Sequence, residues 1–148
     1  MAAGTSVKLV IPSEIRLIDL VHAASEKVAE LAGFDADDAL NVGLAVREAV
    51  INAMLHGNQQ KRGLKVGVTL TWGAGGLRAR VTDEGQGFDP GKAPNPTAPA
   101  NLMNDSGRGL LLMDAFVDTL RIRSRPRGGT EVTMIKRLPV SEGNKAKK

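Results

Sequence analysis

The sequence predicts an α/β (α+β) two-layer sandwich, a mostly antiparallel mixed sheet with three helices on one face. Three observations point there. Residues 35–58 have a helical period and a mainly apolar surface, as a buried helix does. Two pairs of period-two segments are each joined by a glycine-rich turn, which reads as hairpins and hence antiparallel pairing. Three helical stretches in all accompany these strands, enough to cover one face of a sheet.

In order, Val7, Leu9 and Ile11 alternate with Ser6, Lys8 and Val10 in a short strand that Pro12 ends. Ser13 is placed to cap a helix running to about Ala32, with Ile15, Ile18, Val21, Val28 and Leu31 on its apolar face. His22 lies beside that face as a packed or half-exposed histidine, and Gly33 stops the helix. Asp35 or Asp37 is expected to cap the central helix, where a carboxylate meets the positive end of the dipole. A polar turn over 58–63 leads to Leu64, Val66, Val68, Leu70 and Trp72, alternating with Lys65, Gly67, Thr69 and Thr71. Gly73-Ala74-Gly75-Gly76 turns the chain, and Leu77, Ala79 and Val81 return it to Asp83. Residues 89–106 contain four prolines and few apolar residues, the composition of a functional lid. A third helix is expected over 106–116, and two last strands over 117–124 and 130–138, joined through Pro126-Arg127-Gly128-Gly129. The domain thus spans 1–138, and 139–148 reads as a disordered basic tail.

Composition narrows the function. The chain of 148 residues has room for one proper core. It has no Cys and two His, which removes disulfides, thiolate metal sites and His-rich metal centres. No apolar run reaches the roughly 20 residues of a membrane span, and the start lacks the layout of a signal peptide. A cytoplasmic protein with no membrane partner is expected. The net charge of +4 falls largely on Lys145, Lys147 and Lys148, and aromatics are scarce. Direct nucleic-acid binding is therefore not expected.

Three constellations carry possible chemistry. Glu48, Asn52 and His56 stand four residues apart, so they stack on one helix face. A carboxylate and an amide in an apolar helix cost free energy unless something binds them. An amide oxygen suits Mg²⁺ shared with phosphates, and a carboxylate one turn earlier could orient or deprotonate a hydroxyl. The same pair could also be satisfied by backbone, and His56 reads as a structural cap. Asp83-x-Gly85-x-Gly87 places a carboxylate at a strand end, able to accept from an exocyclic amine such as that of adenine. Its glycines let backbone approach a ring or phosphate; the pattern also makes plain turns. Gly107-Arg108-Gly109 opens a helix after the lid, an anion site by its free N–H groups with a guanidinium beside them. Neither a G-x-x-x-x-G-K-[ST] loop nor a protein-kinase H-R-D or D-F-G set occurs.

Taken together these residues resemble a known family. Glu48-Ala-Val-Ile-Asn52-Ala-Met-Leu-His56-Gly57 resembles the N box of the GHKL (histidine-kinase-like) ATPase superfamily. Asp83-Glu84-Gly85-Gln86-Gly87 resembles its first glycine box, Gly107-Arg108-Gly109-Leu110 its second, and Gly128-Gly129-Thr130 its last. The short form, with His-Gly ending the N box, is most similar to bacterial anti-sigma factors that are serine/threonine kinases. The resemblance covers about residues 5–138 and implies the Bergerat ATP-binding fold. It further implies ATP and Mg²⁺ as cofactors, Asp83 on the adenine amine, and Thr130 helping to hold the ring. By the same resemblance Gly85 and Gly87 would line the nucleotide, Asn52 would ligate Mg²⁺, Gly107, Arg108 and Gly109 would cradle the phosphates, and Glu48 would be the base. The implied substrate is an anti-anti-sigma protein, the second partner a sigma factor, and the assembly a homodimer through the exposed sheet face or first strand. An ATP-binding switch of the same fold, capturing a partner without phosphoryl transfer, is the alternative. A sensor histidine kinase is disfavoured, because no dimerising helix pair with a phosphoacceptor His precedes the domain.

Overall fold

In the computed structural model, residues 4–85 and 113–139 are described. The alternating segments form one five-stranded sheet of β1 (Thr5–Pro12), β2 (Lys65–Gly73), β3 (Gly76–Thr82), β4 (Thr119–Ser124) and β5 (Thr130–Arg137). The order is β1-β2-β3-β5-β4. Among the described residues every pairing is antiparallel, so the mixed character expected of the sheet is not seen. The cause is β5, which inserts antiparallel between β3 and β4 and takes β4 with it as the outer strand of a hairpin.

Alternation decides which face is covered. Val66, Val68 and Leu70 of β2, Leu77, Ala79 and Val81 of β3 and Met134 of β5 are buried on one side. Against them lie α1 (Ile18–Ala32) and α2 (Ala36–Asn52), contributing Val21, Val28, Val42, Val46 and Val50 to the same core. Each Val, Leu or Met among these contributes about 1.5–3 kcal/mol by leaving water. Of the third expected helix, the described part is a helical turn at 113–116, with Met113 fully buried.

Local chemistry sets most helix ends. Gly33 takes φ +110° and its N–H returns to Ala29 and Glu30 carbonyls, closing α1 as expected. Asp35 caps α2, its Oδ1 accepting from the Asp38 N–H at 2.8 Å. Ser13 does not cap. A 3₁₀ turn, Ile15–Leu17, precedes α1, and the buried Ser13 hydroxyl instead donates to the Leu64 carbonyl at 2.8 Å. The central helix is also less enclosed than its composition suggests. Leu40 is exposed, and the buried side is made largely of Ala39, Gly43, Ala45, Ala49 and Ala53. These small residues let α1 come close: the half-buried His22 ring packs over Gly43 and meets Glu26 at 3.3 Å.

Candidate functional site

The central helix does not simply stop. Ala53–Gly57 form a π-helical turn in which the Asn58 N–H reaches back five residues to the Ala53 carbonyl at 2.7 Å. The turn brings Gly57 onto the residue that follows β3, Asp83. A methyl added at Gly57 would fall on the Asp83 carboxylate, one at Gly85 on the Gly57 carbonyl, and one at Gly129 on the Asp83 carbonyl. Helix end, strand end and the β4–β5 turn thus meet backbone to backbone, and the glycines are what allows it.

Asp83 sits at the centre of this junction, 5% exposed. Its Oδ1 accepts from the backbone N–H groups of Gly85 at 3.0 Å and Thr130 at 3.1 Å. Its own N–H donates to the Thr130 carbonyl at 3.0 Å, and its carbonyl accepts from Arg125 Nη1 at 2.6 Å. The other carboxylate oxygen has no hydrogen-bond partner among the described residues. Burial raises the Asp83 carboxyl above its ordinary value, while the Gly85 and Thr130 N–H groups and the Arg125 charge act in the opposite sense. Sequence separation hides the pairing with Thr130, which arises because β5 lies beside β3.

A residue that sequence reasoning placed in a plain polar turn fixes this arrangement. Asn58 is fully buried. Its Nδ2 donates to Ser13 Oγ at 2.9 Å and to the Lys65 carbonyl at 3.0 Å, and its Oδ1 accepts from the Glu84 N–H at 2.8 Å. Glu84 in turn accepts from the Lys65 N–H. One amide therefore ties the end of α2 to the entry of α1, the start of β2 and the loop after β3.

Asn52 lies five residues before Gly57, about 7 Å along the helix, and Glu48 one further turn away. Both are half-buried, and neither side chain has a hydrogen-bond or ion-pair partner among the described residues. His56 is exposed and makes no capping hydrogen bond there; backbone groups close the turn instead. No group of three or more His, Cys, Asp or Glu side chains could hold a metal among the described residues. The donor set fits a hard cation only where Asn52 shares it with ligand oxygens and water. The structure thus brings Asn52, Asp83, Gly85 and Thr130 to one end of the molecule. Gly87, Gly107, Arg108, Gly109 and the lid expected at 89–106 lie outside the described residues. No helix of the described residues is long and apolar enough to cross a membrane.

Comparison with known proteins agrees with this geometry. The chain is 27% identical over 138 residues to the serine-protein kinase RsbW of Bacillus velezensis, covering 89% of this chain and 85% of that protein. It is 33% identical over 104 residues to the anti-sigma F factor of Clostridium acetobutylicum, 69% of this chain and 72% of that one. A crystal structure of the RsbU and RsbW domains of a Mycobacterium tuberculosis protein superposes with a TM-score of 0.61 at 25% identity. That likeness covers 92% of this chain and 34% of the longer one. Residues 11–136 match the histidine kinase-like ATPase domain, and with its helices on one face of an antiparallel sheet the chain belongs to that family.

Proposed function

We propose that this chain is an ATP-dependent serine/threonine-protein kinase that acts as an anti-sigma factor. In this reading it phosphorylates an anti-anti-sigma protein and sequesters a sigma factor, in the cytoplasm. The observation that carries it is the junction of α2, β3 and β5. Among the described residues, a carboxylate oxygen of Asp83 without a partner stands beside glycine backbone, at the same end as two polar side chains, Asn52 and Glu48, with no partner there.

Each residue then has a role. Asp83 accepts from the adenine amine, with Thr130 and Gly85 holding the carboxylate in place. Asn52 contributes its amide oxygen to Mg²⁺, which would neutralise charge on the phosphates. Glu48 orients the substrate hydroxyl and takes its proton. Gly87, Gly107, Arg108 and Gly109 complete the phosphate cradle. Phosphoryl transfer asks for positioning and charge neutralisation more than covalent help, and this donor set offers both. Self-association is assigned to β1, an edge strand on which Val7 and Val10 are 37% and 58% exposed.

The test is incubation with labelled ATP, Mg²⁺ and candidate partners. Label is expected on a partner serine or threonine. Glu48→Ala should lower transfer by about 10²–10⁴-fold, the usual contribution of a positioned base, with nucleotide affinity kept within about threefold. Tight nucleotide binding with no label moved would instead make the chain a nucleotide-responsive capture protein. No nucleotide binding would remove both readings.

A further inference from the structure

The helices cover one face of the sheet; the other has no layer over it among the described residues. Cross-strand register places Arg78 and Arg80 of β3 and Arg121 and Arg123 of β4 on that open face. Arg80 and Arg121 both pair with Thr133 of β5, from opposite sides. They are therefore two strand spacings apart, about 10 Å, while arginines along one strand are about 7 Å apart. Together with Glu131, Thr133 and Ile135 they line an open hollow of about 170 Å³. One carboxylate, Glu131, stands among them, 3.7 Å from Arg80 Nε. That Nε is shielded from solvent and makes no hydrogen bond among the described residues. Among the described residues, four guanidiniums share a single counter-charge, which makes a surface awaiting acceptors.

Three occupants can be weighed. A second copy stacked face to face would set arginines against arginines, since an isologous contact matches a patch with itself; like charges so placed are unfavourable. Single-stranded nucleic acid is bound by aromatic platforms as well as charge, and Trp72, with the even-numbered β2 residues, points to the helical side. A small ligand needs a deeper site than this, commonly about 300–1,000 Å³. Charge complementarity leaves an acidic protein segment. Guanidinium forks match carboxylates in two-point contacts, and glutamates one helical turn apart are spaced at about 6 Å, close to the spacing along β3 and β4.

We propose that the open sheet face is a docking surface for an acidic segment of a partner protein, held by Arg78, Arg80, Arg121 and Arg123. It lies on the side away from the helices and depends on neither nucleotide binding nor phosphoryl transfer.

The experiment uses the full chain and a labelled peptide of Ala and Glu with glutamates at i, i+4 spacing. Saturable binding is expected, with amide shifts confined to β3, β5 and β4. The Arg121→Glu/Arg123→Glu variant should bind roughly tenfold more weakly. Lys27→Glu/Lys61→Glu, which changes net charge equally on exposed sites away from this face, should bind within twofold of the parent. Denaturation midpoints report folding, and Arg121→Gln/Arg123→Gln, with a roughly threefold loss, replaces the reversed pair should that pair unfold. Equal losses in both double variants would overturn the proposal. So would tighter binding of an oligouridylate at the same face, or a parent dimer that the Arg121/Arg123 variant dissociates.

Discussion

Asp83 is held in two opposing ways. Burial disfavours its charged form, and two N–H donors with Arg125 favour it; the net direction is upward. A carboxyl whose folded value lies above its unfolded one binds protons more readily when folded. Its ionisation therefore costs stability as pH rises through the raised value, and that cost is absent below the ordinary carboxylate range. Asp83→Asn keeps an oxygen for the Gly85 and Thr130 N–H groups and removes the charge. Its stability relative to the parent is expected to improve as pH rises above the ordinary carboxylate range, and a pH-independent difference in denaturation would contradict this. In the proposed reading the same change turns the oxygen offered to adenine into a donor. Adenine nucleotide affinity should fall by roughly 1–3 kcal/mol, the cost of an unmade buried hydrogen bond. Asn58 gives the complementary case, a residue whose importance is structural. Asn58→Leu keeps the branched shape but is bulkier and leaves the Ser13, Lys65 and Glu84 partners unsatisfied, and a loss of at least about 2 kcal/mol in urea unfolding is expected.

At the scale of elements, the exit from the central helix is where backbone is least relaxed. Gln59 and Gln60 follow the π turn at φ 53° and 59°, left-handed values that cost a side chain about 1 kcal/mol. Gln60 also donates its N–H to the Met54 carbonyl at 2.7 Å, so the conformation is held by the turn itself. Gln60→Gly should keep that bond, relieve the strain and stabilise by up to about 1 kcal/mol; destabilisation would mean the side chain holds the turn. Which features the sequence discloses follows the same division between local and distant causes. The strands and the Gly33 and Asp35 helix ends depend on residues within a few positions, and all were legible. Ser13 reads as a cap because a serine before an apolar run usually is one. Its hydroxyl is taken by Leu64, 51 residues away, and no local pattern announces that. Asn58 was missed for the same reason, since a buried asparagine and a loop asparagine look alike in a polar turn. The π turn was invisible as well, because a shift from i−4 to i−5 bonding changes no composition.

For the whole molecule, strand order is the fact that makes a site out of separated motifs. Inserting β5 beside β3 sets Thr130 against Asp83, 47 residues away, and the same step moves β4 outward so that its arginines join those of β3. The chain's charge is therefore segregated rather than carried by the tail alone. Residues of α2, β3 and β5 all contribute to one junction, so occupancy of that junction must be felt by the entire fold. A ligand that binds only the folded state stabilises it by about 2.7 kcal/mol at a hundred times its Kd. For a domain of this size, taking about 2–4 °C per kcal/mol, saturating Mg-ATP should raise Tm by roughly 5–11 °C. Chelating Mg²⁺ should remove a large part of that gain, as should Asn52→Ala, and Asp83→Asn, at the loss of affinity expected above, should remove between about a third and nine tenths of it. A rise undiminished in Asp83→Asn would place the nucleotide elsewhere and dissociate the Gly57–Asp83–Thr130 junction from ligand binding.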